Sequence, residues 1–459
     1  MYHAGPTVPL RRAAAPGRAG RRPPPPRRRA GPRGPPSAPA APPCRAARVA
    51  RALYGPRVMR WTVLAVGLAC AAGCPADRAA PAPRERVRLW HTFSAYETEA
   101  LNRALADRGA AVESTLLPFS RARQIVADAL RDGHDCPDLV RIDATWLPEL
   151  AGAGLLAPVP DDAPARAWLP EAAALARHAG TAYGVPQALD GLALLYDPDR
   201  LARAGAAWPP RTVNELVATA HQLTIDGRYG LSVRVDGYWF VAFLRAWGGD
   251  VVDPATGALG IDRPEAVAAL DQFAALFGPG GVAPPPPPPG REAPATARWF
   301  REGRVAIVVD GPWAVPELRA GGHALAVAPF PPGADGRGAA PLGGALFCVP
   351  ACARRADAAW RLAFALTEPA VQAAWARDLG VVPTTEEALA GAGAFARAFR
   401  DALRAARPLP RHPITAELFD DLTPAVAAVV AGDATAEEAL AGVARAWTRL
   451  LARHRGGRP

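Results

Sequence analysis

The 459-residue chain contains no lysine; all 53 of its basic residues are arginine. Schiff-base chemistry and the lysine of a phosphate-binding loop are thereby excluded. Acid is missing too, from one stretch: residues 1–74 hold 14 arginines and neither Asp nor Glu. The remaining 39 basic residues face all 43 acidic ones, a net of −4, so the formal +10 of the chain belongs to its leader. Nucleic-acid binding by the folded part loses its main support. The eight histidines are scattered with no H-E-x-x-H pair, and no G-x-S-x-G elbow occurs, so two common hydrolase signatures are absent. Neither a metal site nor a cofactor is expected.

Paired cysteine is also scarce. Of six cysteines only Cys136, Cys348 and Cys352 lie beyond the leader, and an odd number excludes a complete disulfide framework. Cys348, in ALFCVP, reads as a strand residue and Cys352 as part of the following loop. The two could pair in an oxidising compartment, but separate buried and exposed thiols are the simpler expectation.

Residues 1–58 form an Arg, Pro and Ala tract with no hydrophobic period, a composition that does not bury enough surface to fold. At Met59-Arg60 the character changes to a short positive segment, then an apolar run over residues 62–72, then Ala71-Ala72-Gly73-Cys74. That run is too short for a permanent membrane span and suits a signal peptide. Cys74 is the expected lipid-bearing residue; Ala71 departs from the leucine usual in a lipobox, so ordinary signal cleavage stays open. Translation is expected to start near Met59, and residues 75–85 read as a Pro-rich tether.

The 459 residues have half their composition apolar and are enough for two lobes. Strands are expected at residues 86–90, 111–117 and 138–142, with helices at 95–108 and 120–131 between them. Such alternation builds a largely parallel sheet covered by helices, in which ligands sit beyond the carboxyl ends of the strands. The loops at residues 91–96 and 143–146 occupy those ends. A second alternating region spans residues 212–330 and is interrupted by six prolines at 284–289, which read as a stiff surface loop. From residue 356 the chain turns helical, ending in an amphipathic run over 436–451.

Nine segments then appear in a recognisable order: HTFSAYETEALNRAL, CPDLVRIDATWLPELAGAGLL, TAYGVPQALDGLALLYDPDRLARAG, WPPRTVNELVATAHQLT, FLRAWGGDVVD, WFREGRVAIVVDGPWAV, APLGGALFCVP, LTEPAVQAAWARDLGVVPT and AVVAGDATAEEALAGV. Together they cover nearly all of residues 86–451, and the chain resembles the extracellular solute-binding proteins of ABC importers, of the maltose- and trehalose-binding type (family 1). The resemblance implies an α/β, two-lobed periplasmic-binding-protein fold of the larger (type II) kind, its lobes joined by hinge strands and closing on a ligand. It implies an N-lobe of residues 86–188 with 310–366 and a C-lobe of 189–309 with 367–451. It also implies a sugar ligand, an ABC permease as membrane partner, no catalysis, and a monomer exported and held at the membrane by a lipid anchor only.

Sugars present hydroxyl edges and apolar C–H faces, which call for carboxylates, amides and aromatic rings. Asp143 and Trp146 form a D-x-x-W turn that resembles the trehalose and maltose branch. Asp190 matches an acidic sugar ligand of maltose-binding proteins, with Gln187 three residues before it. Tyr238 and Trp239 stand where the family places an aromatic contact, with Asp236 as a carboxylate partner, and Trp313 of DGPW matches the stacking tryptophan. Gly343 and Gly344 resemble the paired glycines that admit ligand to backbone, and Phe419 falls near a C-terminal aromatic position. His91, Thr92 and Phe93 complete the expected set; Asp143 and Thr92 are equally suited to helix capping, and His91 and Phe93 to the core. Trp247, Trp299, Trp360, Trp375 and Trp447 are assigned to packing.

Two rivals remain at this level. A glycosidase needs two carboxylates at a fixed separation, which spacing along the chain does not test. A receptor for another solute is the other: Arg121, Arg123 and Arg141 would favour an anion such as glycerol phosphate. A polyamine needs more acids, and ferric ion needs tyrosine clusters, which seven tyrosines in the chain hardly permit.

Overall fold

The computed structural model describes residues 86–253, 258–288 and 290–456. The leader, the signal, the tether, Cys74 and Pro289 lie outside the described residues. The expected alternation opens the described chain as β1 (Val87–His91), α1 (Ala95–Asp107), β2 (Val112–Leu116), α2 (Phe119–Asp132) and β3 (Leu139–Asp143). β1 runs parallel to both β2 and β3 and buries Val87, Leu89 and His91, the period of two that a covered strand requires. α1 starts where it does because Ser94 and Glu97 form a capping box: the Ser94 hydroxyl accepts from the Glu97 amide, and the Ser94 amide donates to the Glu97 carboxylate at 2.8 Å. After β3 a short 3-10 turn leads into α3 (Leu147–Gly152).

A small ribbon of β4 (Arg177–His178) and β5 (Thr181–Ala182) precedes β6 (Val185–Gly191) and β7 (Ala193–Tyr196). β6 joins the first sheet and β7 the second, so one extended segment passes from lobe to lobe at Gly191-Leu192. The second sheet is completed by β8 (Tyr229–Ser232), β9 (Val305–Asp310) and β10 (Ala326–Pro329), in the order β10-β7-β9-β8. The chain returns at β11 (Pro341–Cys348), which pairs antiparallel with β3 and β6, and β12 (Arg407–Pro408) pairs with the start of β11. A β-carbon at Gly191 would lie 2.6 Å from the Pro341 carbonyl oxygen. Two crossing segments therefore pass too closely for any side chain at that position.

Helices complete each lobe. In the second, α4 (Gly237–Ala246), α5 (Pro264–Ala275), α8 (Leu418–Ala431) and α9 (Ala436–Gly456) share a core with Phe240, Phe243, Phe273 and the fully buried Trp447. In the first, α6 (Ala356–Leu366) and α7 (Pro369–Leu379) pack Trp360 and Trp375 against Val87 and Leu89 of β1. Two lobe boundaries thus differ from expectation. The return to the first lobe comes at Pro341 rather than near Asp310, because β10 still pairs with β7. The second lobe does not resume at residue 367, because Val371, Trp375 and Leu379 of α7 belong to the first core.

The cysteines differ as well. Cys136 and Cys352 form a disulfide, and among the described residues Cys348 is left as a free, buried thiol. Pairing of Cys348 with Cys352 is ruled out, and so is a free Cys352. Cys348 faces the interior from β11, whereas the loop after β11 carries Cys352 back to the segment that leads into β3.

Candidate functional site

The site begins with sheet register. On β11, Gly343 pairs with Asp190 of β6 and Ala345 pairs with Asp143 of β3. Residues two apart on a strand share a face, as do cross-strand partners. Asp143 and Asp190 therefore project from one face, on either side of β11. A β-carbon at Gly343 would lie 2.5 Å from Oδ1 of Asp190 and 3.6 Å from the Tyr238 hydroxyl. Tyr238 arrives from the other lobe, at the first turn of α4. Gly344 points the opposite way, where a β-carbon would meet the Ala188 carbonyl at 2.6 Å. Of the two glycines, Gly343 stands with the carboxylates and Gly344 serves close packing between β11 and β6.

Crowded carboxylates resist ionisation together. Burial, then the charge of Asp143, push Asp190 up to about 8, against the pull of Arg141. Burial raises Asp143 as well, while hydrogen bonds from Thr145 and the charge of Arg141 oppose it. At neutral pH the pair holds a proton, which gives the site both a donor and an acceptor. Burial, followed by the charges of Asp190 and Asp143, holds the Tyr238 phenol neutral. Asp143 also caps the turn after β3, accepting from the Thr145 amide at 2.8 Å and its hydroxyl at 2.6 Å.

Behind the carboxylates lies a polar network centred on Arg141. Its guanidinium donates to Thr92 Oγ1 at 2.9 Å and Gln187 Oε1 at 3.0 Å, pairs with Glu97 at 3.9 Å and lies 4.3 Å from the centre of the Phe93 ring. His91, Phe93 and Gln187 are all buried. Burial and the charge of Arg141 lower the His91 pKa to about 4, so the ring is neutral. Phe93 packs edge-on against Phe347 and Trp375. These three residues, with Thr92, back the wall that carries Asp143 and Asp190.

The second lobe supplies a row of rings. Phe419, Tyr238, Trp239 and Trp313 follow one another with centroids 6.1, 5.6 and 6.2 Å apart. Trp239 is buried and donates its indole N–H to the Val309 carbonyl at 2.8 Å, whereas Trp313 is half-buried. Trp313 is oriented by Asp310, which accepts from its indole N–H at 2.6 Å and pairs with Arg234 at 3.7 Å. Asp236 accepts from the Tyr238 amide at 2.7 Å and caps α4, its pKa raised by burial. On the first lobe, Trp146 is buried beneath Phe119, with ring centroids 5.7 Å apart.

The structure thus brings Asp143, Asp190, Gly343 and Tyr238 together, with Trp313, Trp239 and Phe419 in the adjoining row. Sequence reasoning missed Glu97 and Asp310, and weighed Arg141 only as an anion contact. Arg141 and Asp143 are two apart on one strand and Asp310 is three residues before Trp313, spacings that could have flagged both. Among the described residues no group of three or more His, Cys, Asp or Glu is placed to hold a metal ion. Two surface depressions, of about 550 and 350 Å³, are lined by neither Asp143, Asp190 nor Tyr238. The lobes approach one another at two places: the Tyr238 hydroxyl would stand 3.6 Å from a β-carbon on Gly343, and Arg123 lies 2.7 Å from Asp420.

Comparison with known proteins agrees with this architecture. The GacH receptor of Streptomyces glaucescens, solved unliganded and with acarbose, superposes with a TM-score of 0.72 at 29% identity, covering 80% of this chain and 98% of that one. A maltotriose-binding protein of Pyrococcus abyssi is 27% identical over 317 residues, 66% of this chain and 67% of the relative. A probable ABC transporter-binding protein of Deinococcus radiodurans is 29% identical over 226 residues, 45% of this chain and about half, 52%, of its own length. The bacterial extracellular solute-binding protein family matches residues 122–398. The chain, two-lobed and built to bind rather than to catalyse, belongs to the bacterial extracellular solute-binding proteins.

Proposed function

We propose that the protein is the receptor of an ABC importer, taking a di- or oligosaccharide between its lobes and delivering it to a membrane permease. The observation that carries this reading is the meeting of Asp143, Asp190 and the Tyr238 hydroxyl beside the row of Trp313, Trp239 and Phe419. Carboxyls and a phenol match sugar hydroxyls, and rings match sugar C–H faces. Arg141 already has Thr92, Gln187 and Glu97 as partners, which weighs against a phosphate ligand. The acarbose complex of GacH and the name of the Pyrococcus relative lend support to a sugar, and that of the Deinococcus relative to ABC transport. The full ligand set is proposed as Asp143, Asp190, Asp236, Tyr238, Trp313, Gly343 and Phe419, with His91, Thr92, Phe93, Trp146, Gln187, Trp239 and Gly344 shaping the cleft around them. In the cell the protein works as a monomer, tethered outside the membrane through lipid on Cys74.

A thermal-shift screen across sugars, polyols and sugar phosphates tests the ligand class, since a compound that binds only the folded state raises apparent stability. A shift confined to sugar phosphates, or sustained turnover of a glycoside, would replace this reading. For the anchor, Cys74→Ala should release the protein from the membrane fraction into the soluble one.

A further inference from the structure

We infer that the ion pair between Arg123 and Asp420 forms an end wall of the cleft and limits the length of saccharide it accepts, an inference that rests on the sugar reading above. The pair joins the lobes: Arg123 stands on α2 of the first, Asp420 on α8 of the second, and Arg123 Nη2 lies 2.7 Å from Asp420 Oδ2. Its place relative to the cleft follows from helical spacing. On α2, Phe119 and Arg123 are four residues apart and share a face; Trp146 and Glu149 are three apart at the start of α3. Phe119 meets Trp146 with ring centroids 5.7 Å apart, and Arg123 meets Glu149 at 3.1 Å. The two contacts are successive layers of the same α2–α3 interface, about 5.4 Å apart, the rise of one turn.

The second lobe repeats the order. Phe419 turns its ring to Tyr238, whose hydroxyl stands at Gly343 and Asp190, while the next residue, Asp420, reaches Arg123. On each lobe an aromatic ring and one half of the bridge thus share a helix, exposed Phe119 with Arg123 and Phe419 with Asp420. A saccharide running from Asp143 and Asp190 over these rings meets a closed bridge.

The bridge is held rigidly from one side only. Glu149, 9% exposed, binds Arg123 on one oxygen and Arg131, at 3.0 Å, on the other. The Arg123 guanidinium is thus fixed by its own lobe, whereas the Asp420 side chain is 67% exposed and has Arg123 as its only ion-pair partner among the described residues. On its Asp420 side the pair is exposed and contributes little to stability, so Asp420→Ala should leave the fold intact, while Arg123→Ala also takes from Glu149 one of its two partners and leaves it Arg131.

The test is calorimetric titration of trehalose and of maltose through maltohexaose into the unaltered protein, Asp420→Ala and Arg123→Ala, with thermal unfolding confirming that each variant is folded. The two variants remove opposite halves of the bridge, so either alone keeps the inference testable. The expected result is that both gain affinity for the longer chains over maltose by about tenfold. A uniform loss at every length would show a clasp rather than a wall and overturn the inference, as would an unchanged length profile. If the unaltered protein bound no member of the series, the sugar reading itself would fail, and the wall with it.

Discussion

Oδ1 of Asp190 lies 2.5 Å from the point where a β-carbon would stand on Gly343. The carboxyl and the bare backbone thus occupy one pocket wall, and the wall has no room for a methyl group. Gly343→Ala should displace the Asp190 carboxyl or the Tyr238 hydroxyl and weaken ligand binding by at least about tenfold. The thermal midpoint should fall as well, by the about 1–3 kcal/mol that overpacking a buried position costs. Titration of the best ligand against the variant decides this; unchanged affinity would remove Gly343 and Asp190 from the site.

Protonation of Asp190 links stability to pH. Its carboxyl is raised from 3.8 to about 8 in the folded chain, so between those values the native state holds more protons than the unfolded one. Stability from this group is complete below pH 4 and is lost as pH rises through 8. His91 acts with the opposite sign: its pKa is lowered from 6.5 to about 4, so its contribution is present above 6.5 and is lost as pH falls. The two oppose one another between pH 4 and 6.5; above 6.5 the His91 contribution is complete while that of Asp190 is still being lost. The ligand-free protein should therefore lose thermal stability over that upper window, and Asp190→Asn should flatten the slope. Parallel curves for the two proteins would contradict the assignment.

Much of this was readable in the residues. The first strand and the two helices before β3 follow from hydrophobic period; Asp143 and Asp190 were selected by position within ordered segments, and Tyr238 by its likeness to an aromatic contact of the family. What sequence leaves out is the third dimension of a chain that crosses between lobes. Nothing local announces that β10 belongs with β7, or that Trp375 packs beside Val87. Neither does spacing reveal that Gly343 faces the carboxylates while Gly344 faces Ala188, because that depends on register. The disulfide was missed for the same reason: Cys136 and Cys352 are 216 residues apart, and local spacing drew attention to Cys348 instead.

That disulfide ties the start of β3 to the loop after β11 across a long stretch of chain. Its reduction should cost about 2–4 kcal/mol through the freedom returned to the unfolded state, seen as a lower thermal midpoint with reductant. Cys352→Ser should show the same loss and no further response to reductant. Cys348 is fully buried and its thiol is pushed well up by burial, so it should resist alkylation until the protein unfolds. Peptide mapping that found Cys348 alkylated in the native protein, or bonded to Cys352, would contradict this arrangement.

Trp313 and Trp239 are neighbours in the aromatic row with different surroundings. Trp313 is half-buried, with its indole N–H held by Asp310 and its ring lying on Gly311, so part of the ring stays accessible. Trp239 is 7% exposed, bonded to the Val309 carbonyl and covered by Arg234. Trp313→Ala should cost about 2 kcal/mol of binding, roughly thirtyfold in affinity, as removal of a stacking ring does. Trp239→Phe should instead lower stability by about 1–3 kcal/mol, through a lost hydrogen bond and lost volume, with affinity changed less than threefold. Titration and thermal unfolding on the same two variants separate the roles. Should Trp313→Ala bind normally while Trp239→Phe loses the ligand, the face of the row that meets the sugar would have to be reassigned.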